Sequence, residues 1–244
     1  MAGNWKMYKT PAETTAFLEK FRPMVAQSTH CEIVICPPFT NLAAAVTAAQ
    51  GSSIAIGAQN IGWAKEGAFT GEVAGPMIRA TGATHVIVGH SERRQYFGES
   101  DETVLKRTQA ALEFGLTPIV CVGERLEERE SGRTEAVLVH QFQNGIAGLT
   151  AGQFARIVIA YEPVWAIGTG KTATPEIAAD AHRAIRAQVR AKFGGPAGDA
   201  IRILYGGSVK PDNVKSLMAQ PEIDGSLVGG ASLEPGSFAS IVNF

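Results

Sequence analysis

Short apolar runs alternate with longer amphipathic stretches from one end of this chain to the other. The runs at 2–6, 31–36, 53–58, 83–89, 116–122, 155–161, 201–205 and 224–228 have the length and bounding residues of strands. Helical patterns lie between them. Thr10-Pro11-Ala12-Glu13 predicts a helix start, with Thr as N-cap, Pro at the first helical position and Glu three residues after the cap. Phe17, Phe21, Met24 and Val25 then fall on a stripe at helical spacing. Val104, Leu105, Thr108, Ala111 and Leu112 repeat the pattern, and Gly115 is placed to stop it. Thr174-Pro175-Glu176 predicts another start, and later helices centre near 140, 184, 214 and 239.

Eight βα units in succession predict the α/β class and a parallel sheet. A closed barrel and an open doubly wound sheet share this alternation. The unbroken run of units, with no linker or low-complexity tract, predicts one catalytic domain over residues 1–244. A single barrel accommodates that length.

Composition narrows the function classes. Apolar residues make up 45% of the 244, enough for a large core. The net charge of −1 and the absence of any Lys/Arg run argue against a nucleic-acid or anionic-membrane surface. No apolar run reaches the roughly 18–20 residues that span a bilayer, and no secretory h-region opens the chain. Cys31, Cys36 and Cys121 form a sparse, odd set that points to a reducing compartment, hence the cytoplasm, and to no disulfide framework.

In a barrel, chemistry gathers at the C-terminal strand ends. On the first strand, Asn4 and Lys6 share a face and Trp5 takes the other. If Trp5 packs outward, Lys6 supplies a fixed cation at the mouth; the ordinary alternative is a solvated strand-end lysine. The fourth strand ends at His90-Ser91-Glu92. A neutral His90 there can donate to a substrate oxygen, with Ser91 capping the next helix; the alternative is a satisfied core histidine. His30, His85, His140 and His182 carry only the structural reading.

The sixth strand delivers Glu162 at its end, and Pro163 stops the ladder at once. The apolar residues 164–167 that follow can desolvate that carboxylate and raise its pKa towards that of a working base. The alternative is a surface carboxylate. Three glycine-rich turns follow successive strands: Gly168-Thr169-Gly170, Gly206-Gly207-Ser208 and Gly229-Gly230. Any one is an ordinary turn. Together they offer backbone N–H groups to a phosphate dianion.

Two other motifs fail on inspection. Gly168-Thr169-Gly170-Lys171-Thr172 ends like a P-loop, but Trp165 stands at the first required glycine. The looser dinucleotide fingerprint lacks its preceding strand and its downstream acid. The Cys and His spacings suggest no metal site.

The motifs, taken in order, resemble the triosephosphate isomerase family along essentially the whole chain. They are Asn4-Trp5-Lys6-Met7, Gly67-Ala68-Phe69-Thr70-Gly71-Glu72, Val88-Gly89-His90-Ser91-Glu92-Arg93-Arg94, Cys121-Val122-Gly123-Glu124, Tyr161 through Gly170, Tyr205-Gly206-Gly207-Ser208 and Leu227 through Leu233. The resemblance implies a (β/α)8 TIM barrel that interconverts dihydroxyacetone phosphate and D-glyceraldehyde 3-phosphate through an enediolate, in glycolysis and gluconeogenesis, with no cofactor or metal. It implies Glu162 as base, His90 as neutral electrophile and Lys6 as fixed cation. Asn4 would position the substrate, and Gly168, Ser208, Gly229 and Gly230 would hold its phosphate. It also implies a homodimer through the loop around Thr70 and a lid over residues 163–171. The chain departs from the family in two places: only Met1 precedes Ala2-Gly3-Asn4-Trp5, which implies a trimmed or short first strand, and Tyr8 stands where Asn is common. Phosphate-binding barrels of other reactions would need different acids at several strand ends, and a non-catalytic metabolite-binding barrel would not need the catalytic set.

Overall fold

The computed structural model describes residues 1–167 and 172–244. Eight strands close into a parallel barrel in chain order. They are β1 (Ala2–Asn4), β2 (Ile33–Cys36), β3 (Ile54–Ala58), β4 (His85–Val88), β5 (Thr117–Val122), β6 (Val158–Tyr161), β7 (Ile203–Tyr205) and β8 (Gly225–Val228). The closing pair is β1 with β8, registered Ala2 against Leu227 and Gly3 against Val228. Closure removes both sheet edges, which an open doubly wound sheet would leave exposed.

The two faces of each strand separate into two apolar shells. Ala2, Val34, Cys36, Ile87, Ile119, Cys121, Val158, Ala160, Leu204 and Leu227 fill the barrel interior as one cluster. Their chain neighbours, such as Ile35, Val86, Val88, Val120, Ile159 and Ile203, belong to a second cluster shared with the helices. This is the period of two expected of strands, and branched Val, Ile and Leu make up most of the interior set, as the stacked layers of a barrel require.

The helices begin where their caps predict. Thr10 caps Pro11–Val25 and forms the reciprocal capping box with Glu13. That helix buries Phe17, Leu18, Phe21 and Val25, while Met24, at the edge of the stripe opposite Leu18, turns to solvent. Trp5 packs edge-on to Phe17 at 4.7 Å, and Phe21 stacks on Phe238 at 5.1 Å. These aromatic contacts tie the first helix to the last, Pro235–Val242, across the closing seam. Thr174 caps Pro175–Phe193, and Gly115 takes φ 72° just past Asp101–Glu113.

β1 is shorter than the apolar run. It ends at Asn4 because Lys6 adopts φ 52°, a left-handed conformation no strand continues. β6 begins at Val158 and ends at Tyr161, so Glu162 is the first residue beyond the ladder. No described helix is long and apolar enough to cross a membrane.

Candidate active site

At the C-terminal mouth lies a cavity of about 270 Å³ whose lining includes Asn4, Lys6, His90, Glu162, Ser208, Gly229 and Gly230. Those residues come from the ends of β1, β4, β6, β7 and β8, so only barrel closure brings them together. Gly168, the remaining predicted phosphate contact, lies outside the described residues, as does the lid from 168 to 171. Ala166 and Ile167, on the described side of that loop, line the cavity.

Lys6 reaches this wall by a turn, not by strand alternation. Its N–H donates to Asn4 Oδ1 at 3.0 Å. Gln59 Nε2 bridges the carbonyls of Lys6 and Cys36, each at 2.8 Å. These bonds hold the left-handed conformation, which a non-glycine residue adopts only when its surroundings enforce it. The ammonium pairs with Glu92. An inward cation thus has the partner its burial requires.

Glu162 is 2% exposed. Its Oε1 lies 2.8 Å from His90 Nε2, and its Oε2 accepts the Ser91 N–H at 2.9 Å. Burial pushes this carboxyl up, but the His90 charge and hydrogen bond, the Ser91 N–H and the Cys121 thiol together outweigh it and hold the group below its ordinary value. The apolar flap alone predicts the opposite direction; the pairing with His90 decides it. Cys121 itself stays a thiol, raised far above its usual range first by burial and then by the Glu162 carboxylate.

His90 is the N-cap of the helix Ser91–Tyr96 and replaces Ser91 in the role expected of it. Its Nδ1 accepts the Glu92 N–H at 3.2 Å, which leaves the proton of the neutral ring on Nε2, pointing at Glu162. Burial lowers the imidazole pKa, and the Glu162 carboxylate overcomes that and raises it while the two remain paired.

Two glycine turns form the opposite wall. At Gly206 a β-carbon would stand 2.9 Å from Glu162 Cγ, and at Gly207 it would collide with the Tyr205 hydroxyl. The backbone therefore lies closer to Glu162 than any other residue permits. Gly229 leads into the 3-10 turn Gly230–Ser232, closed by Ser232 N–H to Gly229 O at 2.8 Å. The leading N–H groups of such a turn lack intrahelical acceptors, and glycine leaves them unshielded for an anion. Lys210 also lines the cavity and adds a second cation on this side.

Sequence reasoning missed Gln59 and Lys210, and it gave no role to Glu92 and Glu124 although both stand in the motifs it singled out. Glu124 is fully buried, and its Oε1 gathers Trp165 Nε1 at 2.9 Å, the Tyr161 hydroxyl at 3.1 Å and Arg129 at 3.4 Å. Its place in the motif Cys121-Val122-Gly123-Glu124 was the available signal. Among the described residues, no cluster of three or more His, Cys, Asp or Glu stands ready to hold a metal.

A sequence model of the triosephosphate isomerase family matches residues 1–244. The triosephosphate isomerase of Solibacter usitatus is 81% identical over 244 residues, covering 100% of this chain and 98% of that relative. The same enzyme from Citrifermentans bemidjiense is 55% identical, with 100% and 97% covered. A solved structure, triosephosphate isomerase from Bartonella henselae, superposes with a TM-score of 0.90 at 40% identity over 100% of this chain and 97% of that one. Identity at this level, along the full length and on the same closed barrel, means that the chain belongs to the triosephosphate isomerase family.

Proposed function

We propose how this chain carries out the family's reaction, the interconversion of dihydroxyacetone phosphate and D-glyceraldehyde 3-phosphate in glycolysis and gluconeogenesis, and assign a role to each site residue. The substrate phosphate sits against Ser208, Gly229 and Gly230, with Gly168 completing the ring. Glu162 leaves His90 and Ser91 and takes a proton from one of the two adjacent carbons. The electron pair moves onto the carbonyl oxygen, to which His90 Nε2–H donates. Once Glu162 has turned away, its charge and hydrogen bond no longer raise the imidazole pKa; burial, the largest influence, together with Lys6 lowers it against the remaining pull of Glu92, which favours the neutral ring. His90 passes its Nε2 proton to that carbonyl oxygen and takes one back from the hydroxyl on the adjacent carbon, so when Glu162 returns its proton to the neighbouring carbon the carbonyl has moved by one position and His90 is neutral again. Lys6 opposes the negative charge of the enediolate and the phosphate, and Asn4 holds the Lys6 turn beside the substrate. All of this is the work of residues 1–244 as one catalytic domain, with no cofactor or metal in any step.

The observation that carries the reading is the convergence of a buried carboxylate, an Nε2–H donor and a paired lysine on one cavity walled by glycine turns. The test is a coupled assay with both triose phosphates in the presence of chelator. Rapid turnover in each direction is the expected result, and folded protein without turnover would overturn the assignment.

The proposal extends to a homodimer. Trp63 and Phe69, exposed at 42% and 44%, pack edge-on at 5.7 Å on loop 61–72, and Met7 and Tyr8 are exposed at 93% and 58%; this is apolar surface that a second copy of the chain would cover. Three free cysteines, Cys31, Cys36 and Cys121, suit a reducing cytoplasm. Neither nucleic acid nor membrane enters as a partner.

A further inference from the structure

β4 ends at Val88, paired with Val120, while β5 runs on to Val122. Past that point β5 has lost its neighbour on one side. Thr117 N–H donates to Thr84 O on the β4 side, and Val122 O accepts Glu162 N–H on the β6 side. Alternation along a strand therefore turns the peptide groups of residues 117, 119, 121 and 123 towards β4 and those of 122 and 124 towards β6. The Cys121 N–H still faces Val88 at the end of β4, but from the Cys121 carbonyl through both groups of Gly123 no strand remains to receive them.

Side chains take over. Arg94 donates to the Cys121 carbonyl at 3.2 Å. At Gly123 the substitution is complete: Gln141 Oε1 accepts the Gly123 N–H at 2.7 Å, and Gln141 Nε2 donates to the Gly123 carbonyl at 3.1 Å. One primary amide supplies the acceptor and the donor that a neighbouring strand would have supplied. It comes from the helix Thr134–Gly145, which packs behind the strand.

Gly123 lies directly against the base. A β-carbon there would collide with the Glu162 carbonyl oxygen. The residues on either side bind the same segment: Val122 O accepts Glu162 N–H at 2.8 Å, and Glu124 O accepts Val164 N–H at 3.1 Å. The backbone of Glu162 thus rests on a strand tip that Gln141 pins from its other side. Gln141, Gly123 and Glu162 also line a second cavity of about 590 Å³.

We propose that Gln141 is a positioning residue for Glu162: its amide, closing the open side of β5 at Gly123, sets where the carboxylate stands relative to His90, Ser91 and the substrate carbons. It touches no substrate. Proton abstraction is sensitive to misplacement, so a looser tip lowers turnover more than binding, since the phosphate contacts lie on β7 and β8. A looser tip also weakens the Ser91 and His90 bonds that favour ionised Glu162, which moves the acid limb of kcat/KM upward in pH. A residue that merely stabilises the fold moves neither.

The inference rests on the assignment of Glu162 as base, and the experiment separates the two. Gln141→Met keeps the volume and removes donor and acceptor. The expected result is a kcat lowered about ten-fold, with KM within about two-fold of the unaltered enzyme. The acid limb moves up, and Gln141→Glu recovers part of kcat by restoring the acceptor for Gly123 N–H. If Gln141→Met does not fold, Gln141→Asn, which holds the amide one methylene short of Gly123, is read by the same measurements. Unchanged kcat and pH profile, losses that follow only the unfolded fraction, or a Glu variant no better than Met would overturn the proposal. Glu162→Gln serves as reference. Turnover retained in that variant would remove the base assignment itself, whereas an inactive Glu162→Gln beside a normal Gln141→Met would remove only the role of Gln141.

Discussion

His182 provides a quantitative test of burial in this barrel. It lies on the helix Pro175–Phe193 with no exposed surface. Nδ1 stands 3.1 Å from the Glu222 carbonyl, so the neutral ring carries its proton there. Among the described residues Nε2 has no hydrogen-bond partner, and the ring packs edge-on to Tyr161 at 5.7 Å. Burial, opposed by the Glu222 carbonyl and assisted by the Arg186 charge, lowers the pKa from 6.5 to about 3. Between those values the unfolded chain binds a proton that the folded chain refuses. Stability therefore falls as pH drops from about 6.5 towards about 3. At pH 5 the unfolded state is favoured by about 1.5 pH units of binding, or about 2 kcal/mol, of which little is present at pH 7. His182→Asn keeps an amide donor near the Nδ1 position and does not titrate. Urea unfolding at pH 7 and pH 5, at one protein concentration, gives a difference of differences in which the other titrating groups cancel. The unaltered protein is expected to lose about 2 kcal/mol more than His182→Asn between the two pH values. Equal losses would show that the buried ring accepts a proton in the folded state, and would refute the reasoning.

Lys6→Ala is expected to lower kcat/KM by about two orders of magnitude, affecting binding and turnover together, because one fixed cation faces a dianion and a developing enediolate. Steady-state kinetics check this, and an unchanged kcat/KM would mean that Lys6 serves only Glu92. His90→Gln is expected to reduce kcat by about two orders of magnitude with a small change in KM, since the imidazole acts on charge that appears after binding. Light scattering at micromolar concentration is expected to give the mass of two chains; a fully active monomer would contradict the proposed role of the surface around Trp63 and Phe69.

What the sequence determines here is whatever depends on neighbours along the chain. The capping box of Thr10 and Glu13 joins residues three apart, and the stop at Gly115 needs one backbone conformation. The alternation of inner and outer strand residues follows from the pleat alone. Glu162 at the end of β6 and His90 at the end of β4 were legible for the same reason: a strand's end, and what stands there, are local facts. Their meeting at 2.8 Å was not local, since it joins residues 72 apart and depends on which strands the closed sheet places together. Only the tertiary structure decided that Lys6 reaches the mouth through a left-handed turn held by Gln59, 53 residues away, in place of an extended strand. It likewise decided that pairing with His90 overrides burial in setting the ionisation of Glu162. The clamp of Gln141 on Gly123 belongs to the same class. A glutamine on a helix and a glycine after a strand carry no mark of each other. The need that joins them, two peptide groups left without a ladder where β4 stops short of β5, exists only once the barrel has closed.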